Sequence, residues 1–294
     1  MEYKTPYVVK VPGINGLGRT HGCEGAGNAI LESLNEIYSN EQGKPIDVKL
    51  LDLEEIHLDN FNLEQANGLI YKNSFEIFEE KPRAIFLGGD HSISYSTTKA
   101  FLEHCKSNGK EPCLIVFDSH PDCMPTTDKK TPTHEEWLRA LIESGFRSEN
   151  ILLVGIRNSD KREIEFLSKN KIRIISMNQL LDNLQDSCDI IMEFSNTENK
   201  KFSVSETPGT QGVPDRKELY VSIDIDVIDP AFAPSTGYKE PGGLTSRQFI
   251  YLIQRINKMR NLRAVDIVEI NSEKDKQFND ITVKLGAKIL AELL

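Results

Sequence analysis

The chain has 294 residues, enough for one large domain or two ordinary ones, and its 38% hydrophobic and 27% charged residues are typical of globular proteins. Its 35 basic against 45 acidic residues give a net charge of −10, which argues against nucleic acid and anionic membranes as partners and is compatible with a cationic ligand. No apolar run approaches the ~20 residues of a membrane span, and no signal-peptide pattern begins the chain. Five scattered cysteines without a Cys-x-x-Cys pair favour free thiols and a cytoplasmic location.

Short apolar runs alternate with stretches of helical periodicity along the chain. The runs that predict strands are 7–11, 47–51, 84–87, 113–117, 151–155, 172–176, 219–225 and 264–270. The stretches that predict helices include 26–39, 63–80, 94–105, 135–144, 246–259 and 281–294. Because such alternation produces parallel strands joined by crossover helices, we expect a single α/β domain over residues 1–294.

Two regions depart from this alternation. Residues 13–27 are rich in glycine and follow a strand, but they lack the third glycine of a dinucleotide-binding turn and the Gly-Lys pair of a phosphate loop. We interpret them as a loop near the carboxyl edge of the sheet, with His21 as a loop residue. Residues 187–217 are polar and contain two Pro/Gly-rich turns, which predicts a long, partner-facing loop.

The most informative stretch is Phe-Asp-Ser-His-Pro-Asp at 117–122. A buried strand stops here at Asp118, His120 and Asp122, three potential metal ligands in five residues. Buried carboxylates are costly without a neighbouring positive charge, and ligands bind at the carboxyl ends of parallel strands. The stretch therefore favours a metal site over a polar turn that happens to contain a histidine. Cys123 is interpreted as a small filler residue.

A second acidic pair lies in the strand near residue 225. Asp224 and Asp226 alternate with apolar residues, so they share one side of an extended chain, where their repulsion and desolvation would each cost several kcal/mol. A divalent cation removes both penalties, whereas Asp229, before a proline, is expected to shape a turn. Gly-Gly-Asp-His-Ser at 88–92 adds His91 at another strand end, with Asp90 as a supporting or helix-starting residue.

These motifs supply six potential ligands: His91, Asp118, His120, Asp122, Asp224 and Asp226. Six are too many for one tetrahedral zinc ion and suit two ions with bridging carboxylates. Oxygen-rich coordination favours manganese or magnesium, and the imidazoles shift the preference to manganese, although cobalt and zinc accept the same ligands. Two ions sharing a water can lower its pKa and supply hydroxide as a nucleophile.

The stretches 88–92, 118–122 and 222–234 together resemble the signatures of the ureohydrolase superfamily, which comprises arginase, agmatinase, guanidinobutyrase, proclavaminate amidinohydrolase and formiminoglutamase. The order and spacing of the motifs are similar across most of the chain. The resemblance implies a three-layer α/β/α sandwich around an eight-stranded parallel sheet, two Mn²⁺ ions per chain and a homotrimer or homohexamer.

The resemblance also implies roles for individual residues. It assigns His91 and Asp122 to one metal, His120 and Asp226 to the other, and Asp118 and Asp224 to a bridging position. It makes His134 a proton shuttle, Glu269 the carboxylate that holds the guanidinium, Asp122 a proton acceptor and Asp160 a contact to the α-ammonium of arginine. Without the resemblance, His134 reads as an exposed residue at a helix start and Glu269 as a surface acid after a strand.

Several positions differ from the family pattern. Ser119 replaces an alanine, Tyr238 replaces a threonine, and the loop 123–131 lacks the asparagine with which arginases hold the amino-acid end of arginine. If Lys129 or Lys130 turned inward, a carboxylate-bearing substrate would be favoured.

The expected activity is that of an agmatinase, which converts agmatine to putrescine and urea. The alternatives are arginase, then formiminoglutamase or guanidinobutyrase. Two other classes stay open. A metal-dependent deacetylase would need a paired-histidine motif that the sequence lacks, and a non-catalytic homologue would bind metal without turnover.

Overall fold

The structure, a computed structural model, describes residues 6–195 and 217–294. Within these ranges eight parallel strands form one sheet in the order β2-β1-β3-β8-β7-β4-β5-β6. The strands are β1 (Tyr7–Val11), β2 (Leu53–Glu55), β3 (Ala84–Gly88), β4 (Glu111–Phe117), β5 (Ile151–Ile156), β6 (Arg173–Ser176), β7 (Lys217–Asp224) and β8 (Leu262–Val268). The predicted eight-stranded parallel sheet is confirmed.

Helices cover both faces of this sheet and make the three-layer sandwich. They are α1 (Ala26–Leu34), α2 (Leu63–Glu80), α3 (Ile93–Ser107), α4 (Trp137–Glu143), α5 (Lys161–Asn170), α6 (Met177–Asp182), α7 (Leu184–Phe194), α8 (Ser246–Ile256), α9 (Ser272–Asp275) and α10 (Ile281–Leu293). Side chains of α1, α6, α7, α8 and α10 enter one apolar core, and those of α2, α3, α4 and α5 enter the other. None of the described helices is long and apolar enough to cross a membrane.

The central strands are apolar along their whole length because both of their faces are buried. In β4, Cys113, Ile115 and Phe117 enter one core, whereas Leu114 and Val116 enter the other. This period-two division explains why the sequence shows continuous apolar runs instead of apolar–polar alternation.

Two sequence predictions are wrong. Residues 47–51 do not form a strand: Asp47 accepts a hydrogen bond from the Lys49 N–H at 3.0 Å, which stabilises a short 3₁₀ turn over Val48–Leu50, and the edge strand is β2 instead. The loop predicted over 187–217 is helical where it begins, because α7 reaches Phe194 and Lys217 already belongs to β7. Residues 196–216 lie outside the described ranges.

Four neighbouring strands place the predicted site residues together. The strands β3, β8, β7 and β4 are adjacent in the centre of the sheet and run parallel, so their carboxyl ends meet at one edge. His91 follows β3, Glu269 follows β8, Asp224 ends β7, and Asp118 follows β4. Side chains that are far apart in the sequence therefore converge above the middle of the sheet.

Candidate metal centre and substrate cavity

The first group of potential ligands surrounds the imidazole of His91. Its Nδ1 atom lies 2.9 Å from Oδ2 of Asp122, 3.1 Å from Oδ2 of Asp118 and 3.3 Å from Oδ2 of Asp224. All four side chains are buried. Atoms of His91, Asp118 and Asp122 lie within 4.8 Å of one another, close enough to ligate a single ion.

The second group shares Asp118 with the first. The His120 Nδ1 atom lies 2.9 Å from Oδ2 of Asp226 and 3.7 Å from Oδ1 of Asp118. The main-chain N–H of His120 donates to Asp118 at 2.6 Å, and that of Ser119 donates to Asp226 at 2.9 Å. These bonds join the loops after β4 and β7, so the structure brings all six predicted ligands into one cluster.

The cluster has an excess of negative charge. Burial raises the pKa of Asp118 and of Asp224 well above the ordinary value, and neighbouring carboxylates raise both further, above all Asp122 for Asp118 and Asp226 for Asp224. Burial lowers the pKa of His120, but the carboxylate of Asp226 outweighs it and raises the net pKa to about 11. Four carboxylates therefore face two imidazoles in a region from which water is largely excluded.

The donor atoms fit divalent cations. His91 Nδ1 and Asp118 Oδ2 are buried and, within the described part of the chain, neither has a hydrogen-bond partner in good geometry, although they are 3.1 Å apart. Buried polar atoms without partners are costly and rare. Carboxylate oxygens with imidazole nitrogens are a ligand set for manganese and related ions, so the residues present fit two ions that share Asp118.

Several buried polar residues orient the ligands, and sequence reasoning missed them. His91 Nε2 lies 2.9 Å from the Ser222 hydroxyl, which donates to Asp266 at 2.6 Å, and the Trp137 indole N–H donates to Asp122 at 2.8 Å. Such outer contacts fix the orientation of ligands and are found around most metal sites. Ser222 and Asp266 interrupt apolar strands at paired positions of β7 and β8, and that signal could have revealed them.

Two functional side chains rest on backbone in the left-handed region. Asp122 has a φ of 51° and Glu269 a φ of 65°, conformations that cost non-glycine residues of order 1 kcal/mol or more. The Glu269 N–H donates to the Gly89 carbonyl at 2.9 Å, and a Cβ atom at Gly89 would lie 2.0 Å from the Gly13 carbonyl oxygen. A glycine at this position thus allows the close approach of the two backbone segments.

Glu269 and His134 stand beside the cluster. Oε1 of Glu269 accepts the His91 main-chain N–H at 2.9 Å and lies 3.4 Å from Nδ1 of His134, whereas its buried Oε2 has no hydrogen-bond partner in the described chain. His134 is buried and not exposed, contrary to the interpretation made without the resemblance. Burial lowers its pKa, but Glu269 outweighs this effect and raises it to about 9.

A cavity of about 440 Å³ opens over these residues. Its described lining comprises His120, Asp122, Met124, His134, Glu135, Asn158, Ser159, Asp160, Glu163, Asp224, Asp226, Thr236, Tyr238 and Glu269. Two lysines that could have served a substrate carboxylate lie elsewhere: Lys129 pairs with Glu143 at 3.5 Å and Lys130 with Glu64 at 2.7 Å, both at the surface. Among the described residues, the lining of the cavity contains no lysine or arginine.

Asp160 lies in the cavity lining but is engaged elsewhere. Its carboxylate accepts the Arg162 main-chain N–H at 2.8 Å and the Arg162 guanidinium at 2.8 and 3.2 Å. It also begins α5 in a capping box with Glu163, whose other oxygen accepts the Cys123 N–H at 2.8 Å. Cys123 is buried, and all five cysteines are free and buried, as the sequence suggested.

Part of the cavity wall is built by the loops after β5 and β7. The Arg157 guanidinium donates to the carbonyl oxygens of Asp226 at 2.7 Å and of Glu240 at 2.5 Å, which joins the two loops. Asp229 accepts the N–H groups of Ala231 and Gly242 and shapes the turn, as predicted. The cavity wall is thus held by charged side chains whose partners are main-chain atoms.

A parallel sheet whose carboxyl edge gathers two imidazoles and four carboxylates below a cavity defines a metal-binding α/β enzyme. A sequence model of the arginase family matches residues 7–294, and the chain belongs to that family. Its members act on amidino C–N bonds, so the protein is a hydrolase of this type.

Relatives and solved structures agree with this assignment. The chain is 28% identical to Arginase 1, mitochondrial, of Oryza sativa subsp. indica over 87% of this chain and 69% of the relative. It is 27% identical to Formimidoylglutamase of Bacillus subtilis (strain 168) over 100% of this chain and 87% of the relative. The fold is similar to that of formimidoylglutamase from Bacillus subtilis, with a TM-score of 0.81 and 23% identity over 99% of this chain and 86% of the other. It is also similar to that of agmatine ureohydrolase of Thermoplasma volcanium, with a TM-score of 0.76 and 23% identity over 98% of this chain and 90% of the other.

Proposed function

We propose that the protein is a binuclear manganese ureohydrolase and that its substrate is agmatine, which it hydrolyses to putrescine and urea. One observation carries the proposal: two groups of potential metal ligands share Asp118 and border a single cavity, whose lining includes Asp122 and Asp226 as well as Glu269, and the Oε2 atom of Glu269 has no hydrogen-bond partner among the described residues. The ligand groups could bind metal cations, and the Glu269 carboxylate beside them could bind the planar guanidinium of the substrate.

The six clustered residues would hold the metals. His91 and Asp122 would hold one ion, His120 and Asp226 would hold the other, and Asp118 and Asp224 would be shared between the two. Two bound divalent ions would lower the pKa of a water molecule and so supply a hydroxide nucleophile near neutral pH. Manganese is proposed because it accepts both carboxylate oxygen and imidazole nitrogen.

The chain's own residues would orient the substrate and move protons. Glu269 Oε2 accepts N–H groups of the guanidinium, while Oε1 stays bonded to the His91 N–H and fixes the carboxylate. Asp122 accepts a proton from the attacking water, and the Trp137 indole holds its carboxylate in place. His134, whose Nε2 has no described hydrogen-bond partner, carries a proton to the leaving amine.

The charges of the cavity favour agmatine over arginine. A substrate carboxylate needs donors, and Lys129 and Lys130 both pair with surface acids. Arginase is the second candidate because curated relatives carry that name and because Asp160 lies where the resemblance places a contact to the α-ammonium of arginine. Formimidoylglutamase follows, since the named relative matches the full chain.

A urea-release assay on the Mn²⁺-loaded protein tests the proposal. Agmatine, arginine and 4-guanidinobutyrate are compared at equal concentration, and formiminoglutamate is followed by formamide release. We expect agmatine to have the highest kcat/KM. A preference for arginine above roughly tenfold, equivalent to about 1.4 kcal/mol of transition-state binding, would make arginase the better assignment.

We also propose a cytoplasmic homotrimer or homohexamer. The five free, buried cysteines are compatible with a reducing compartment, and the oligomer follows from the resemblance. Light scattering on the purified protein measures the assembly directly, and a monomer at micromolar concentration would contradict it.

A further inference from the structure

Two acidic side chains in the cavity lining, Glu135 and Asp160, differ in how their charge is balanced. Asp160 forms two bonds with the Arg162 guanidinium and caps a helix, and these contacts lower its pKa to about 2. Glu135 has a single ion-pair contact among the described residues, 3.8 Å from Nε2 of His134. Because His134 also faces Glu269, one imidazole is shared between two carboxylates.

The position of Glu135 is fixed by the main chain. Its carbonyl oxygen accepts the Met124 N–H at 3.0 Å, which joins the start of α4 to the loop 123–131. Its side chain is only 35% exposed and follows directly after His134 in the chain. The carboxylate therefore lies in the cavity lining, one residue away from the group that faces Glu269.

An aromatic ring completes this part of the wall. Tyr238 packs on His134, with ring centroids 5.4 Å apart, and burial followed by a hydrogen bond from its hydroxyl to the Glu135 carboxylate raises its pKa. The Arg19 guanidinium lies 5.1 Å from the Tyr238 ring centre but is not among the described residues that line the cavity. Because Arg19 and His134 already pack on the Tyr238 ring, the group left to receive a substrate ammonium is the Glu135 carboxylate, through an ion pair.

We propose that Glu135 is a specificity-determining residue that binds a distal ammonium of the substrate, so that the enzyme selects guanidines carrying a second, amine cation. The inference rests on the proposed function, in which Glu269 holds the guanidinium. Glu135 supplies a carboxylate whose only ion-pair contact among the described residues is the His134 imidazole, Tyr238 packs beside it and hydrogen-bonds it, and Asp160 remains bonded to Arg162.

The test compares agmatine with pentylguanidine, in which a methyl group replaces the distal ammonium. In the Mn²⁺-loaded protein, Glu135→Gln should lower kcat/KM for agmatine by roughly 10- to 100-fold, chiefly through KM, because a hydrogen-bonded charge is lost. Turnover of pentylguanidine should change less than about threefold. Glu165→Gln, which removes an exposed acid of α5 that is not among the cavity-lining residues, is the matched control and should leave both substrates unaffected.

A binding measurement separates this inference from the proposed function. Calorimetry should show that the wild type binds putrescine more tightly than pentylamine and that Glu135→Gln removes the difference. If the wild type releases urea but Glu135→Gln keeps its preference for agmatine, the inference is wrong and the proposed function stands. If Asp160→Asn and not Glu135→Gln removes the preference, Asp160 is the binding group. If no guanidine is hydrolysed, the proposed function fails, and the diamine measurement still decides the role of Glu135.

Discussion

The two edges of the sheet each bury a histidine among carboxylates, but they balance its charge differently. At the amino edge, His104 lies 2.6 Å from Glu79 and 3.8 Å from Glu218, and the Arg263 guanidinium lies 3.5 Å from Glu218. At the carboxyl edge, four carboxylates face two imidazoles. The Arg157 guanidinium on this side of the sheet is bonded to main-chain oxygens, and no ion pair joins it to these carboxylates among the described residues.

This difference shows what distinguishes a metal centre from an ion-pair network. Acids and a histidine occur in both places, so composition alone does not separate them. At the amino edge an arginine supplies the positive charge, whereas at the carboxyl edge bound cations supply it in the proposed function. The excess of unbalanced carboxylate therefore marks the functional edge.

Removing metal should affect the carboxyl edge most. Exhaustive chelation should abolish urea release and lower Tm by roughly 5–10 °C, because each ion at 100 times its Kd contributes about 2.7 kcal/mol to the folded state. Mn²⁺ should restore both properties. Asp224→Asn, which removes a bridging carboxylate, should lose at least one ion per chain by elemental analysis. Unchanged activity and Tm after chelation would rule out the two-metal site.

Removing the positive charge at the amino edge should destabilise the protein without touching the metal. Arg263→Met should lower the free energy of unfolding by about 3 kcal/mol in urea denaturation, since Glu218 is left partly buried without its cation. The control Arg147→Met breaks an exposed pair with Glu149 and should cost less than about 1 kcal/mol. A loss of bound manganese in Arg263→Met would mean that the two edges are coupled.

The sequence identified the potential metal ligands better than the residues that orient them. Asp118 and Asp224 interrupt or end apolar strands, so their cost of burial is visible without a structure. The role of Asp266 cannot be inferred in this way, because a single polar residue in an apolar strand has no evident partner in the sequence. Its partner, Ser222, becomes apparent only when β7 is paired with β8. That pairing depends on the sheet order, in which β7 and β8 are neighbours although α8 separates them in the chain.

The errors in the fold have local causes. The edge strand β2 has only three residues and no fully buried side chain, so the apolar run at 47–51 gave the stronger signal although Leu50 is exposed. Helix α7 was missed because its surface is polar and only Ser187, Cys188 and Ile191 are buried. Periodicity is a weak guide where an element buries little surface.

His134 tests whether chemistry at the carboxyl edge can be separated from metal binding. His134→Asn should slow kcat roughly 10²-fold, the usual contribution of general acid–base assistance, because no proton reaches the leaving amine. Manganese content should remain at the wild-type value, since His134 is outside both ligand groups. Normal turnover would reduce His134 to a packing residue under Tyr238, and loss of metal would place it among the ligands.

The smallest expected effect concerns the support of a ligand. Ser222→Ala removes the hydroxyl between His91 Nε2 and Asp266, so the imidazole loses the contact that fixes its orientation, and Kd for one Mn²⁺ should rise about tenfold by titration calorimetry. The matched control is Ser94→Ala, because the Ser94 hydroxyl also donates to Asp266, at 2.7 Å, but has no described contact with the His91 imidazole; the Ser94 main-chain N–H, which donates to the His91 carbonyl, is kept in this variant. If both variants weaken manganese equally, the effect passes through the packing of Asp266 and not through His91. A higher Kd for Mn²⁺ in Ser222→Ala alone would show that metal binding at the carboxyl edge depends on the contact between Ser222 and the His91 imidazole.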